Sequence, residues 1–178
     1  YFPSGEQKFE RLKEELEKAR KFIFMEYFIV EHGVMWDTIL EILERKAKEG
    51  VEVRFMYDGM CSIALLPYHY PKILEAKGIH CHAFAPIKPA LSTYQNNRDH
   101  RKIVVIDGHT AFTGGVNLAD EYINVKERFG YWKDVAVMIK GEAVKNFTIM
   151  FLQMWNIWEK TPLDYEKYLS HDLPQQIE

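Results

Sequence analysis

Four side chains in one short segment have the types and spacing to act on a phosphate. They are His100, Lys102, Asp107 and Asn117, within Asp-His-Arg-Lys-Ile-Val-Val-Ile-Asp-Gly-His-Thr-Ala-Phe-Thr-Gly-Gly-Val-Asn. His100 and Lys102 are two apart, so an extended strand turns both to one face, where an imidazole nucleophile and a fixed cation meet one phosphate. A neutral imidazole attacks phosphorus and leaves again. The Lys102 ammonium and the Asn117 amide neutralise the non-bridging oxygens as charge builds on them. Gly114 and Gly115 let backbone come close to the same group.

A hairpin must bring these groups together. Asp107-Gly108 marks a tight turn, so the strand Ala111 to Thr113 runs back antiparallel and returns Gly114, Gly115 and Asn117 to the level of His100. Upstream, Ser4-Gly5-Glu6-Gln7 has the form of a capping box, followed by Phe9, Leu12, Leu16 and Ala19 at helical spacing. Phe22 to Val30 is nearly continuous apolar and aromatic, as a strand buried on both faces would be, with Glu26 inside it.

Trp36, Ile39, Leu40, Leu43 and Ala47 predict a helix from Val34 to about Lys48, stopped by Gly50. Val51 to Tyr57 is the next strand, Leu66 to Ala76 a shorter helix, and Ile79 to Ala85 a third strand. Trp132 to Ile139 reads as a later strand. Val144 to Trp158 reads as a helix whose Phe147, Phe151, Met154, Trp155 and Trp158 are core.

Alternating helices and strands, followed by antiparallel pairing, predict an α/β fold: a layered α/β/α domain with a mixed, mostly buried sheet. The expected domain spans residues 1 to 160, with 161 to 178 as a linker or docked tail.

Length and composition narrow the function. The chain has 178 residues, enough for one domain with a real core. A formal net charge of −3 argues against a dedicated nucleic-acid binder, so no nucleic acid is expected. Cys61 and Cys81 lack metal-type spacing, which points to reduced thiols in a cytosolic setting and no bridge. The longest uncharged stretches are too short and too polar to span a bilayer. The chain opens at Tyr1 without an initiator Met or a signal peptide, so trimming of a longer protein is expected.

Two further stretches invite a chemical reading. His80 and His82, two apart on a strand, would hold zinc if His69 were a third ligand, against the plainer reading of two histidines at a sheet end. The apolar loops Ala85 to Tyr94 and Ile63 to Tyr68 each follow a strand, and are expected to line an acyl-chain entrance or touch a membrane interface. Packing against a missing half is the other reading.

The composite His100-x-Lys102-x4-Asp107, with Gly114-Gly115-x-Asn117 after it, resembles the HKD motif of the phospholipase D superfamily. Phe24-Met25-Glu26-Tyr27-Phe28, Gly50-Val51-Glu52-Val53-Arg54 and Gly114 to Tyr122 are similar to the bacterial cardiolipin synthases in particular, over residues 1 to about 160. The resemblance implies that His100 is the nucleophile forming a phosphatidyl-histidine, that Lys102, Gly115 and Asn117 hold the phosphate, and that neither cofactor nor metal is needed. It makes Asp107 the third motif residue, expected by strand alternation to hold structure rather than contact phosphorus. The other ring N–H of His100 needs a carboxylate; Asp134, on the following strand, is the candidate, with Glu26 as a second supporting residue.

His-x-Lys occurs once. His32, His69, His80, His82, His109 and His171 have no Lys two residues later. In the chemistry that the resemblance implies, a second motif histidine protonates the leaving alcohol, so this chain supplies half a site. The second half comes either in cis, this chain being the N-terminal half of a longer enzyme, or from a symmetric homodimer. The expected substrate is phosphatidylglycerol, converted to cardiolipin at the cytoplasmic face of the cell membrane. The rivals are a phospholipase D-like nuclease or other phosphodiesterase, and a non-catalytic interaction module with the same fold.

Overall fold

The strand Phe22–Tyr27 (β1) is buried along its whole length and lies at the centre of the sheet. The computed structural model describes residues 1–60, 64–86, 98–161 and 164–169. Before β1 comes the helix Gly5–Glu17 (α1), whose Ser4 side chain accepts the Gln7 N–H at 3.4 Å, as the capping box requires. After it come Val34–Lys48 (α2), Glu52–Asp58 (β2), Tyr70–Glu75 (α3) and Ile79–Phe84 (β3). The hairpin strands Ile103–Ile106 (β4) and Thr110–Gly114 (β5) follow, then a 3-10 turn at Asp120–Ile123, Ala136–Lys140 (β6), Val144–Trp155 (α4) and Glu166–Leu169 (α5).

The six strands order as β3-β2-β1-β4-β5-β6. The first three are parallel, joined by α2 and α3; β4, β5 and β6 pair antiparallel. The mixed sheet of the sequence reading is therefore present. On one face Phe9, Leu12 and Leu16 of α1 and Trp36, Ile39 and Leu43 of α2 pack over Tyr27, Val53, Phe55 and Phe112. On the other, Phe151, Leu152 and Trp155 of α4 and Tyr168 of α5 cover Phe22, Phe24, Met56 and Val105. Each fully buried side chain of this size contributes roughly 1.5–3 kcal/mol of burial free energy. The aromatic stripe of α4 is thus core, and α5 docks through Tyr168, edge-on to Phe22 and Phe24.

Several boundaries differ from the sequence reading, each for a physical reason. β1 stops at Tyr27, because Phe28 turns its ring onto His100 and the Ile29 N–H bonds a side chain. α3 begins at Tyr70 instead of Leu66, since Pro71 is tolerated only in a first helical turn. β6 begins at Ala136 rather than Trp132. The Trp132 N–H and C=O both bond the Asn124 side chain, which draws that stretch off the sheet.

Leu66, read as an interfacial residue, is buried in the core, whereas Tyr68 is exposed. Ile63, most of the 85–94 loop, Cys61 and His171 lie outside the described residues. Cys81 is a buried free thiol. Among the described residues no helix is long and apolar enough to cross a membrane.

Candidate active site

Positive φ at Asp107 (52°) and Gly108 (68°) makes the β4–β5 connection a tight turn of the kind that Asp-Gly favours. The Asp107 carboxylate accepts three backbone N–H groups, from Arg20 (2.8 Å), Lys21 (2.7 Å) and Phe22 (2.9 Å). It ties the entry of β1 to the hairpin tip. His100 lies at the other end of that hairpin, seven residues away in extended chain, or roughly 20 Å. The structure therefore does not bring Asp107 to the other motif side chains.

His100 and Lys102 lie just ahead of β4, not within it. The stretch is extended, so both still point to one side. The imidazole is exposed and its ring centroid is 4.4 Å from that of Phe28. Lys102, 6% exposed, places Nζ 3.2 Å from His100 Nδ1 and donates to the His100 carbonyl at 2.6 Å. An ammonium has only protons to give, so in this pairing Nδ1 is the acceptor and Nε2 carries the ring proton.

Asn117 is tied to the same end of β1. Its Oδ1 accepts the Ile29 N–H at 3.0 Å, and Ile29 follows the Phe28 that touches His100. One Nδ2 proton goes to the Tyr122 hydroxyl at 2.7 Å. Two residues before Tyr122, Asp120 accepts the Val34 and Met35 N–H groups at 3.0 and 2.8 Å, capping α2 from outside its own sequence. The segment after the glycines is thus fixed to β1 and α2 at once.

Gly115 leaves the space that the Asp134 carboxylate fills, for a Cβ there would collide with Oδ1. Asp134 Oδ1 accepts the Val135 N–H at 2.8 Å. Asp134 precedes β6, and among the described residues no hydrogen bond joins it to His100, contrary to the partnership expected from sequence.

Glu26 lies on the other side of the motif backbone, fully buried. Arg101 Nη2 is 2.6 Å from its Oε1, and Arg101 Nε is 3.3 Å from Asp99 Oδ1. Asp99 in turn gives its N–H to Asp58 at 3.0 Å, and Arg98 is 3.2 Å from the same carboxylate. Burial, then the Asp99 carboxyl beside it, pushes Glu26 up to about 9, against the pull of Arg101. Burial and Asp99 thus favour the neutral carboxylic acid at Glu26. This charged network grips the residues on both sides of His100 and leaves the ring projecting.

Sequence reasoning passed over Asp58, Asp99, Arg101 and Phe28. Asp99 and Arg101 flank His100, and period-two alternation was the signal that would have turned them away from it toward Glu26. For the zinc alternative, His82 stacks on Trp158 and lies tilted against Trp155, while His69 meets Tyr68. Among the described residues no three His, Cys, Asp or Glu side chains gather around a common point.

Comparisons with known proteins point to one family and one fold. The model of the cardiolipin synthase phospholipase D-like domain matches residues 12–155. An uncharacterised protein of Streptococcus mutans is 61% identical over 99% of this chain and 38% of its own. A cardiolipin synthase of Geobacillus sp. is 42% identical over 96% of this chain and 34% of its own. The chain thus spans little more than a third of these relatives.

Among solved structures, a phosphatidylserine synthase of Haemophilus influenzae superposes with a TM-score of 0.66 at 17% identity, over 98% of this chain and 40% of that one. The phospholipase D family member Nuc of Salmonella typhimurium gives 0.58 at 20% identity, over 82% and 85%. These two share the fold. With His100, Lys102 and Asn117 held near the exit of β1 and the family model matched across most of its length, the chain belongs to the phospholipase D-like domain family of the cardiolipin synthases.

Proposed function

We propose that this chain supplies one catalytic half of a phosphatidyl transfer. The His100 imidazole attacks the phosphorus of phosphatidylglycerol; the N–P bond forms as the P–O bond to the headgroup glycerol breaks. Glycerol leaves with a proton from the second motif histidine, which a partner half supplies, in cis or from a second copy. That histidine then takes the proton of a hydroxyl on a second phosphatidylglycerol, whose oxygen displaces His100 and gives cardiolipin. Lys102, Asn117 and the Gly115 backbone hold the non-bridging oxygens.

The observation that carries this reading is the placement of His100, Lys102 and Asn117 around the exit of β1. The substrate is inferred from the cardiolipin synthases that the chain resembles over 96% of its length. The same inference puts the working enzyme at the cytoplasmic membrane surface, with Asp107, Asp134 and Glu26 as supporting groups.

For the attack to use Nε2, the ring proton must move to Nδ1, so Lys102 has to leave His100 for the incoming phosphate. Incubation with phosphatidylglycerol labelled in its phosphate, followed by a rapid denaturing quench, tests the assignment. Label on the wild-type protein that vanishes in His100→Ala is expected. Label that persists in that variant overturns the role of His100, and DNA cleavage without lipid turnover moves the assignment to a nuclease.

A further inference from the structure

The motif does not account for Lys8. It stands in the first turns of α1, is 2% exposed, and donates from Nζ to the Tyr27 hydroxyl at 2.7 Å. The same ammonium lies 5.0 Å from the Tyr27 ring centroid. Folds seldom bury a lysine without an acidic partner. Here, among the described residues, no carboxylate reaches ion-pair distance of Nζ.

The surroundings tie Lys8 to the phosphate site. Lys8, Tyr27 and Lys102 line one narrow cleft, closed by Thr113, Gly114 and Val116. Tyr27 is one residue beyond the last β1–β4 pair, Glu26 with Ile103, which sets it beside Lys102 across the sheet. The titratable groups facing Lys8 are Tyr27 from β1, Lys102 from ahead of β4, and Asp134 from ahead of β6; β5 contributes uncharged Phe112, Thr113 and Gly114. A second lysine thus shares the cleft with Lys102, with no carboxylate of the described residues at ion-pair distance.

We propose that Lys8 is a positioning residue of the anion site, which takes up a proton when a phosphate group binds above it and supports that group through the Tyr27 hydroxyl. Burial draws Lys8 down to about 7, with Asp134 opposing. Near neutrality it is therefore poised between its two forms. A bound anion stabilises the ammonium, and a proton enters from solvent. The ammonium donates to the Tyr27 oxygen, and burial keeps that phenol protonated. The phenol is then a polarised donor with its own proton to give to the bound group.

The inference rests on the reading of His100 and Lys102 as a phosphate site, not on the identity of the lipid. The test is a titration of the whole chain carrying 13C at lysine Cε, with and without inorganic phosphate. Lys8→Met assigns the Lys8 signal. The expected result is a lysine titrating near 7 whose midpoint rises on adding phosphate. Each unit of rise corresponds to about tenfold tighter phosphate binding below the midpoint than above it.

Calorimetry at pH 8 in buffers of different ionisation enthalpy should then show proton uptake in wild type. None is expected in Lys8→Met or Lys8→Arg, the arginine retaining tight binding by its permanent charge. In Tyr27→Phe the lysine should still titrate but respond less to phosphate. A phosphate-induced change at Lys102 with the Lys8 midpoint unmoved overturns the proposal alone. No lysine response at all overturns it together with the anion site. Proton uptake by a chain that gives no phosphatidyl transfer even when joined to its second half supports it while removing the proposed activity.

Discussion

Lys102 Nζ stands 3.2 Å from His100 Nδ1 and 2.6 Å from the carbonyl of the same residue, so the ammonium holds the imidazole proposed as the nucleophile. In the proposed reaction a phosphate exchanges places with the imidazole as the partner of Lys102. Lys102→Met removes both the hold and the charge on the non-bridging oxygens. Loss of one such donor in comparable sites lowers kcat by about 10²–10³-fold. The expected outcome is a fall of that size in phosphatidyl transfer with the thermal midpoint little changed. Retention of full transfer would show that another cation neutralises the phosphate.

Asp107 acts on stability instead. Its Oδ1 accepts two backbone N–H groups and its Oδ2 one, all from the entry to β1. Asp107→Ala leaves three donors without an acceptor, in a residue at positive φ that Ala adopts poorly. With about 1–3 kcal/mol for each charge-assisted bond lost, partly offset by water at this exposed edge, a cost of about 3 kcal/mol is expected. Asp107→Asn keeps one oxygen and tolerates the backbone, so it should cost less than half as much. Urea unfolding gives both numbers, and transfer per folded molecule should be unchanged. A large loss of transfer at undiminished stability would place Asp107 in the chemistry.

The motif was legible because its members lie within one hairpin, where period two and an Asp-Gly turn fix their relation before any tertiary contact is known. The helices α1 and α2 were legible from their apolar stripes. What escaped was set by partners distant in sequence. Phe28 to Val30 looks like more strand, yet Asn117 claims the Ile29 N–H and His100 the Phe28 ring, so the strand ends where the site begins. Lys8 reads as one polar position of an amphipathic helix. Only the packing of α1 on β1 reveals that it is buried on Tyr27.

Glu26 makes stability depend on pH. Its carboxyl rises from 4.5 to about 9 in the fold, so its contribution is full below about pH 4.5 and is lost as pH rises through about 9. Lys8 falls from 10.5 to about 7; its contribution is full above about pH 10.5 and is lost as pH falls through about 7. The two oppose between pH 7 and 9, and between pH 5 and 7 Glu26 acts with little interference from Lys8. There its effect on unfolding free energy approaches a fall of about 1.4 kcal/mol per pH unit. Glu26→Gln should flatten this part of the profile and be more stable than wild type at pH 7. An unchanged slope in the variant would mean that Arg101 keeps Glu26 ionised.

Gly115 and Asp134 form a pair whose coupling can be measured. A Cβ at position 115 overlaps the space of the Asp134 carboxylate, so Gly115→Ala must push that side chain away from its bond to the Val135 N–H. Overpacking of this kind costs roughly 1–3 kcal/mol. Asp134→Ala removes the obstruction, so the second substitution should cost much less in its presence. The double-mutant cycle should give a coupling of about 1–2 kcal/mol in the sense of mutual relief. The same four proteins separate packing from chemistry at Asp134. If Asp134 only packs, transfer in the double variant returns with stability. If its carboxylate serves His100 or the charge at Lys8, the double variant refolds to wild-type stability and still transfers slowly.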